Sequence, residues 1–174
     1  MSEKKQIEKA TAEGFLNLYN GMMGISYYFD KLLEPPDPDV QCVDSDGNIL
    51  YLEITMTEGQ HGDIKDLLGR LDYPNIESLR AHRAKVEAGK ASSLERGNCL
   101  QGNLSAMLVG RIQAKLNKNY SRNTALVVRA MCPADPDWDL EVDDIKAQLD
   151  LSRNPFDKGI WILSRCKDIL FRVV

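Results

Sequence analysis

Asp39 and Glu53 stand where carboxylates are least expected, in a stretch, "PPDPDVQCVDSDGNILYLEIT" (residues 35–55), that otherwise reads as buried strand. Its first apolar-rich run opens on Asp37 and Asp39, and its second holds Glu53 within "YLEIT". A charge taken out of water needs a partner. Oxygen-only ligands on neighbouring strands suit Mg²⁺ or Mn²⁺, which take one or two protein carboxylates together with waters and substrate phosphate oxygens. A cation held there would polarise a phosphate and acidify an attacking water. The same residues admit a plainer use. Asp37 and Asp39 suit a Pro-rich turn, and Glu53, beside Tyr51 and Thr55, suits an exposed sheet face.

Which use applies depends on the turn that joins the two runs. "VQCV" and "NILYLEITM" are rich in β-branched and aromatic residues, and "SDGN" between them is a turn signal, so residues 38–56 read as a β-hairpin. A two-residue Asp46-Gly47 turn pairs residue 45 with 48, and therefore 39 with 54, leaving Asp39 and Glu53 on opposite faces. A three-residue loop, Ser45-Asp46-Gly47 with Gly47 in the left-handed conformation, pairs 44 with 48 and therefore 39 with 53. The second arrangement sets the carboxylates side by side, roughly 5 Å apart at Cβ. We expect that loop, with positive charge between the two acids.

A third carboxylate comes from the first helix. Over residues 4–20, at about 100° per residue, Ile7, Thr11, Phe15, Leu18 and Met22 share one arc. Glu8 falls within it, between Phe15 and Tyr19, whereas Glu13 lies on the polar side. Glu8 either bends to solvent from the first turn or points inward.

The rest of the chain supplies the scaffold. Residues 59–118 read as mostly helical: "DIKDLLGRLDYP" ends at Pro74, "IESLRAHRAKVEAGK" is basic and amphipathic, and "ASSLERGNCLQG" is a loop. Asn103 reads as the N-cap of "LSAMLVGRIQAKLNKNY", with Leu104, Met107, Leu108, Ile112 and Leu116 as a core stripe. Arg111, Lys115, Lys118 and Arg122 read as its other, basic face, a solvated surface or a rim for phosphates. "TALVVRAM", "GIWILS" and "ILFRVV" read as strands, and a short acidic helix lies within "DPDWDLEVDDIKAQLDL". The expected fold is one α/β domain spanning 1–174, a central mixed β-sheet flanked by helices, with strands at 124–131, 159–164 and 169–174 in the same sheet as the hairpin.

Composition narrows the function. The 174 residues are 43% hydrophobic and 28% charged, the range of a globular domain with a core. A net charge of −4 advertises no general affinity for nucleic acid, so any such surface is local. No apolar run approaches the roughly 20 residues of a membrane-spanning helix, and "MSEKKQIEKA" has no apolar signal segment. Four scattered cysteines (Cys42, Cys99, Cys132, Cys166) form no C-x-x-C pair, and reduced thiols in a cytoplasmic protein are expected.

A helix with an inward Glu, then "PDV", then a hairpin carrying an acid near the end of its second strand resembles the PD-(D/E)XK nuclease superfamily. The resemblance covers about residues 5–56, and the later strand–helix–strand order is compatible with it. It implies a restriction-endonuclease-like fold and metal-dependent hydrolysis of nucleic acid, DNA ahead of RNA, by a protein that in many relatives is a homodimer. On the matching positions it implies Asp39 and Glu53 as catalytic metal ligands, Glu8 as the helix carboxylate of the Mg²⁺ or Mn²⁺ site, and the Ile54 carbonyl as a further ligand. The motif lysine is missing, because Thr55 stands two after Glu53. Lys65 is the candidate to supply that charge from the following helix, with Gln60 and His61 behind it. Without it, the implied protein binds nucleic acid or a protein partner and does not cut.

Overall fold

The computed structural model describes residues 2–57, 104–130, 136–164 and 168–174. Helix α1 (Glu3–Met23) starts where the Ser2 side chain accepts from Lys5 N (3.4 Å) and stops where Gly24, at φ 66°, donates to Asn20 O. Three antiparallel strands follow: β1 (Tyr28–Leu32), β2 (Val40–Val43) and β3 (Ile49–Met56). Helix α2 (Leu104–Leu116) precedes β4 (Thr124–Ala130), and helix α3 (Trp138–Gln148) precedes β5 (Ile160–Ser164) and β6 (Ile169–Arg172). The six strands form one mixed sheet in chain order, with β3, β4 and β5 parallel and the flanking pairs antiparallel.

Parallel neighbours need crossovers, and both run in the same direction along the sheet. A common right-handed crossover then puts both connecting helices on one face. That is observed: Leu104, Leu108, Ile112 and Leu116 of α2 and Trp138, Val142 and Ile145 of α3 pack on Leu126, Val128, Ile160 and Ile162. The opposite face belongs to α1, whose Ala12, Phe15, Leu16 and Tyr19 meet Val40, Cys42, Leu50, Leu52, Val127, Trp161 and Leu163. Strands β4 and β5 are buried along their whole length, as expected for parallel strands covered on both faces. Each fully buried Leu, Ile or Phe contributes about 1.5–3 kcal/mol. Trp161 anchors the α1 layer, edge-on to Tyr19 (5.2 Å) and Phe15 (6.1 Å), with its indole N–H on Lys158 O.

The α/β class, the hairpin and the three later strands agree with the sequence reading, to within a residue or two at their ends. Strand β1 is an addition. Its "YFDKL" lacks strict alternation because the pairing with β2 slips between Phe29 and Lys31, leaving Tyr28, Asp30 and Lys31 exposed on the sheet edge. The helices expected within 59–103 and the cap at Asn103 lie outside the described residues.

The register of the hairpin is the feature that matters for the site. Val40 faces Leu52, Gln41 Tyr51, Cys42 Leu50 and Val43 Ile49. The loop is therefore Ser45-Asp46-Gly47, with Gly47 at φ 81°. Asp44 fixes it: one carboxylate oxygen accepts from Asp46 N and Asn48 N, and the other from the Asn48 amide. Those bonds, the Asn48 side chain foremost, hold the exposed Asp44 below the usual carboxylate range.

Two glycines make this geometry testable. Gly47→Ala forces a side chain into the left-handed region and should cost about 1 kcal/mol. Gly159, at φ 91°, has the carbonyl oxygen of Val174 only 2.5 Å from where a Cβ would stand. Gly159→Ala should lower stability more, on the order of 3 kcal/mol. Urea unfolding of both variants checks the ranking.

Candidate metal and phosphate site

Continuing the β2–β3 ladder by one step sets Asp39 opposite Glu53. The backbone carbonyl of Asp39 turns to the β1 side and accepts from Leu33 N (2.9 Å). Its side chain turns the other way, and Oδ2 accepts from Ile54 N (2.8 Å). Asp39 thus closes the end of the ladder with its own carboxylate.

Glu53 lies mid-strand on the face covered by α2 and is only 6% exposed. Lys115 of α2 meets it, Nζ to Oε1, at 2.5 Å, with four-fifths of the lysine side chain buried. The basic face expected on α2 is corrected here. Arg111, Lys118 and Arg122 are exposed, but Lys115 turns inward. The helical wheel already holds the reason: at about 100° per residue Lys115 falls between Leu104 and Leu108, inside the core stripe.

Glu8 on α1 is 4% exposed, so it points inward, and Lys4 one turn earlier binds its Oε1 at 3.1 Å. That bond to Glu8 is the chief reason the Lys4 ammonium sits above its usual pKa, and the charges of Asp39 and Glu53 add to it. Asp39 lies between the two layers. Burial is the main force raising its pKa; the Ile54 N–H opposes it, the Glu8 charge adds to it, and Lys115 and Lys4 pull it down. Glu8, Asp39 and Glu53 thus converge electrostatically from three elements on two lysines. Lys4 answers Glu8 and Lys115 answers Glu53, while Asp39 is held by the Ile54 N–H.

Two features went unseen in the sequence. Lys4 was legible as an i, i+4 partner of Glu8. Tyr120, four residues past α2, carried no spacing signal. Its ring packs on Phe156 at 4.7 Å, and its hydroxyl is buried. Burial first, then the charge of Glu53 and a hydrogen bond to its carboxylate, and last the charge of Asp39, push its ionisation well above the ordinary tyrosine value. The hydroxyl is buried and within reach of the Glu53 carboxylate. Lys65, Gln60 and His61 lie outside the described residues.

The donor set has the chemistry of a hard-cation site, all carboxylate oxygen. Among the described residues, however, no three acidic, His or Cys side chains are drawn together tightly enough to hold a metal ion as they stand. Lys115 and Lys4 occupy the oxygens such an ion would need, so a cation fits only by displacing ammonium groups. No helix among the described residues is long and apolar enough to cross a membrane. Protein-family models, curated proteins and solved structures give no match to the chain.

The raised pKa of Asp39 has a consequence for stability. A carboxyl that holds its proton more tightly folded than unfolded stabilises most below the unfolded pKa. That stability is lost as pH rises through the folded value. Asparagine keeps an acceptor for Ile54 N–H with no charge to desolvate. Asp39→Asn should therefore be more stable than the parent at neutral pH, with the difference closing as pH falls to about 4. Urea midpoints across that range measure it, and a variant weaker than the parent at neutral pH would show the charge to be structurally required.

Proposed function

We propose that the chain is a metal-dependent nuclease, hydrolysing phosphodiester bonds of nucleic acid on a restriction-endonuclease-like fold. The observation that carries this reading is that Glu8, Asp39 and Glu53, from a helix and two paired strands, all lie within electrostatic reach of Lys4. Those three side chains would hold Mg²⁺ or Mn²⁺, which would polarise a phosphate oxygen and acidify a water. Glu53 and Asp39 are held in register by the hairpin, so their separation needs no reorganisation when a substrate arrives. Lys115 takes the role that Thr55 cannot fill. Its ammonium rests on Glu53 and is positioned to meet negative charge developing on a phosphate oxygen. Arg111, Lys118 and Arg122 extend positive charge outward from Lys115 along α2 and the turn after it, a footing for neighbouring phosphates.

A second reading rests on specific observations too. Each of the three carboxylates already has a structural partner: Ile54 N–H for Asp39, Lys115 for Glu53 and Lys4 for Glu8. With Thr55 in the motif position, the domain would then bind nucleic acid or a protein without cutting.

Cleavage of plasmid and oligonucleotide substrates with Mg²⁺, Mn²⁺ or EDTA separates the two. Under the nuclease reading Glu53→Gln should lower metal-dependent cleavage on the order of 10³-fold while binding survives. Lys115→Ala should cost about 10²–10³-fold, the loss typical of one stabilising charge at a developing oxyanion. Binding without metal-dependent cleavage by the parent protein would establish the second reading.

A further inference from the structure

Four exposed cations lie on two loops at the end of the sheet where β4 and β5 begin. Lys118 and Arg122 stand between α2 and β4, and Arg153 and Lys158 between α3 and β5. The loops are stapled into one surface. Asp157 accepts from Thr124 N (2.9 Å) and Asn123 N (3.0 Å), Lys158 N donates to Thr124 O (3.1 Å), and the Tyr120 ring meets Phe156. Arg122 and Lys158 thus flank one bridge between the loops.

Charge is unevenly answered there. Among the described residues, the side chains of Lys118, Arg122 and Lys158 make no ion pair or hydrogen bond, and Arg153 meets only the charge of Asp150. Elsewhere Lys4, Lys5 and Lys9 on α1 and Lys146 on α3 each meet a carboxylate. The two acids of the loops are turned to backbone N–H groups instead, Asp157 as above and Asp150 to Ser152 N (3.0 Å). In a chain of net charge −4, unpaired cations on a fixed backbone make a local positive surface.

We propose that these two loops are a docking surface for the phosphate backbone of nucleic acid, blind to base sequence, with Lys118, Arg122, Arg153 and Lys158 as its contacts. This rests on the reading of the chain as one that acts on nucleic acid, and it adds Arg153 and Lys158 to the cations named there. A polyanion fits this surface better than a protein does. Protein interfaces centre on aromatic or aliphatic anchors with charge at the rim. Here the Tyr120 and Phe156 rings face each other, and the exposed large apolar side chains of the described residues, Met22, Met23, Tyr28, Leu140 and Ile169, all lie elsewhere. Phosphate contacts need only positive side chains on a positioned backbone. Lys118 N donates to Lys115 O (3.1 Å), so the surface begins one turn from the lysine that rests on Glu53.

Fluorescence anisotropy in EDTA, with labelled DNA duplexes of two unrelated sequences over a KCl series, tests the proposal. The parent should bind both, with log affinity falling linearly against log salt. Lys118→Gln, Arg122→Gln, Arg153→Gln and Lys158→Gln should each make that slope shallower by about 0.9, one phosphate contact on duplex DNA, and equally on both sequences. Lys31→Gln removes the same charge from an exposed position on β1 and should leave the slope unchanged. An equal change with Lys31→Gln overturns the proposal in favour of general electrostatics. So does a loss confined to one sequence. A parent that binds polyglutamate but neither duplex makes the loops a surface for acidic protein and overturns it too. Cleavage assays with Mg²⁺ and Mn²⁺ keep the two readings apart. Shallower slopes in EDTA with no cleavage by the parent remove the nuclease and keep the surface. Metal-dependent cleavage with slopes unchanged in all four variants does the opposite.

Discussion

A carboxylate in the middle of an interior strand must be met by positive charge, and Glu53 imposes that condition on everything around it. Strand β3 is paired on both edges, by β2 and by β4, and its two faces are closed by helices. Glu53 cannot reach solvent, so the compensating charge has to come from the covering layer. Lys115 supplies it from within the apolar stripe of α2, where a residue of that length can lie along the core and end on the strand. The rotation of α2 about its axis is thus set twice, by its leucine stripe and by one ion pair. Both must agree for the helix to seat.

Asp39 extends the same condition across the sheet. It stands where β2 ends, in electrostatic reach of Glu8 and Lys4 on the α1 side and of Lys115 on the α2 side. Its position follows from the turn, because a register slip of one residue would exchange the faces of every side chain in the hairpin. The Asp44 carboxylate and the left-handed Gly47 are therefore the local causes of a long-range effect. They bring an acid from β2 beside an acid on β3, and the two helix layers answer with one lysine each.

Much of this was legible in the sequence because it rests on short-range rules. The β-hairpin followed from alternation and "SDGN", and its register from turn chemistry. Glu8 fell in the apolar arc of α1 by angle alone, and it is buried. Lys115 was legible by the same angular argument and was misassigned, because a lysine among Arg111, Lys118 and Arg122 reads by residue type as part of a basic face. Residue type lost to geometry there. Strand β1 was not legible, since a bulge at a sheet edge erases the period-2 pattern. Tyr120 was not legible either. Its place beside Glu53 depends on how the segment after α2 folds back to begin β4, a tertiary fact with no periodicity to announce it.

The energetics bear on why such a cluster would be built at all. A buried ion pair gains little over a well-packed apolar pair, because desolvation of both charges cancels most of their attraction. Leucine or valine at position 53, with leucine at 115, would suit a β3–α2 contact of this kind with no charge to desolvate. The arrangement in hand instead keeps three acids and two lysines at the margin of two cores. On the nuclease reading proposed above, the cluster would be kept for exchange, a cation replacing the lysines on the acids and Lys115 bringing the charge that Thr55 cannot.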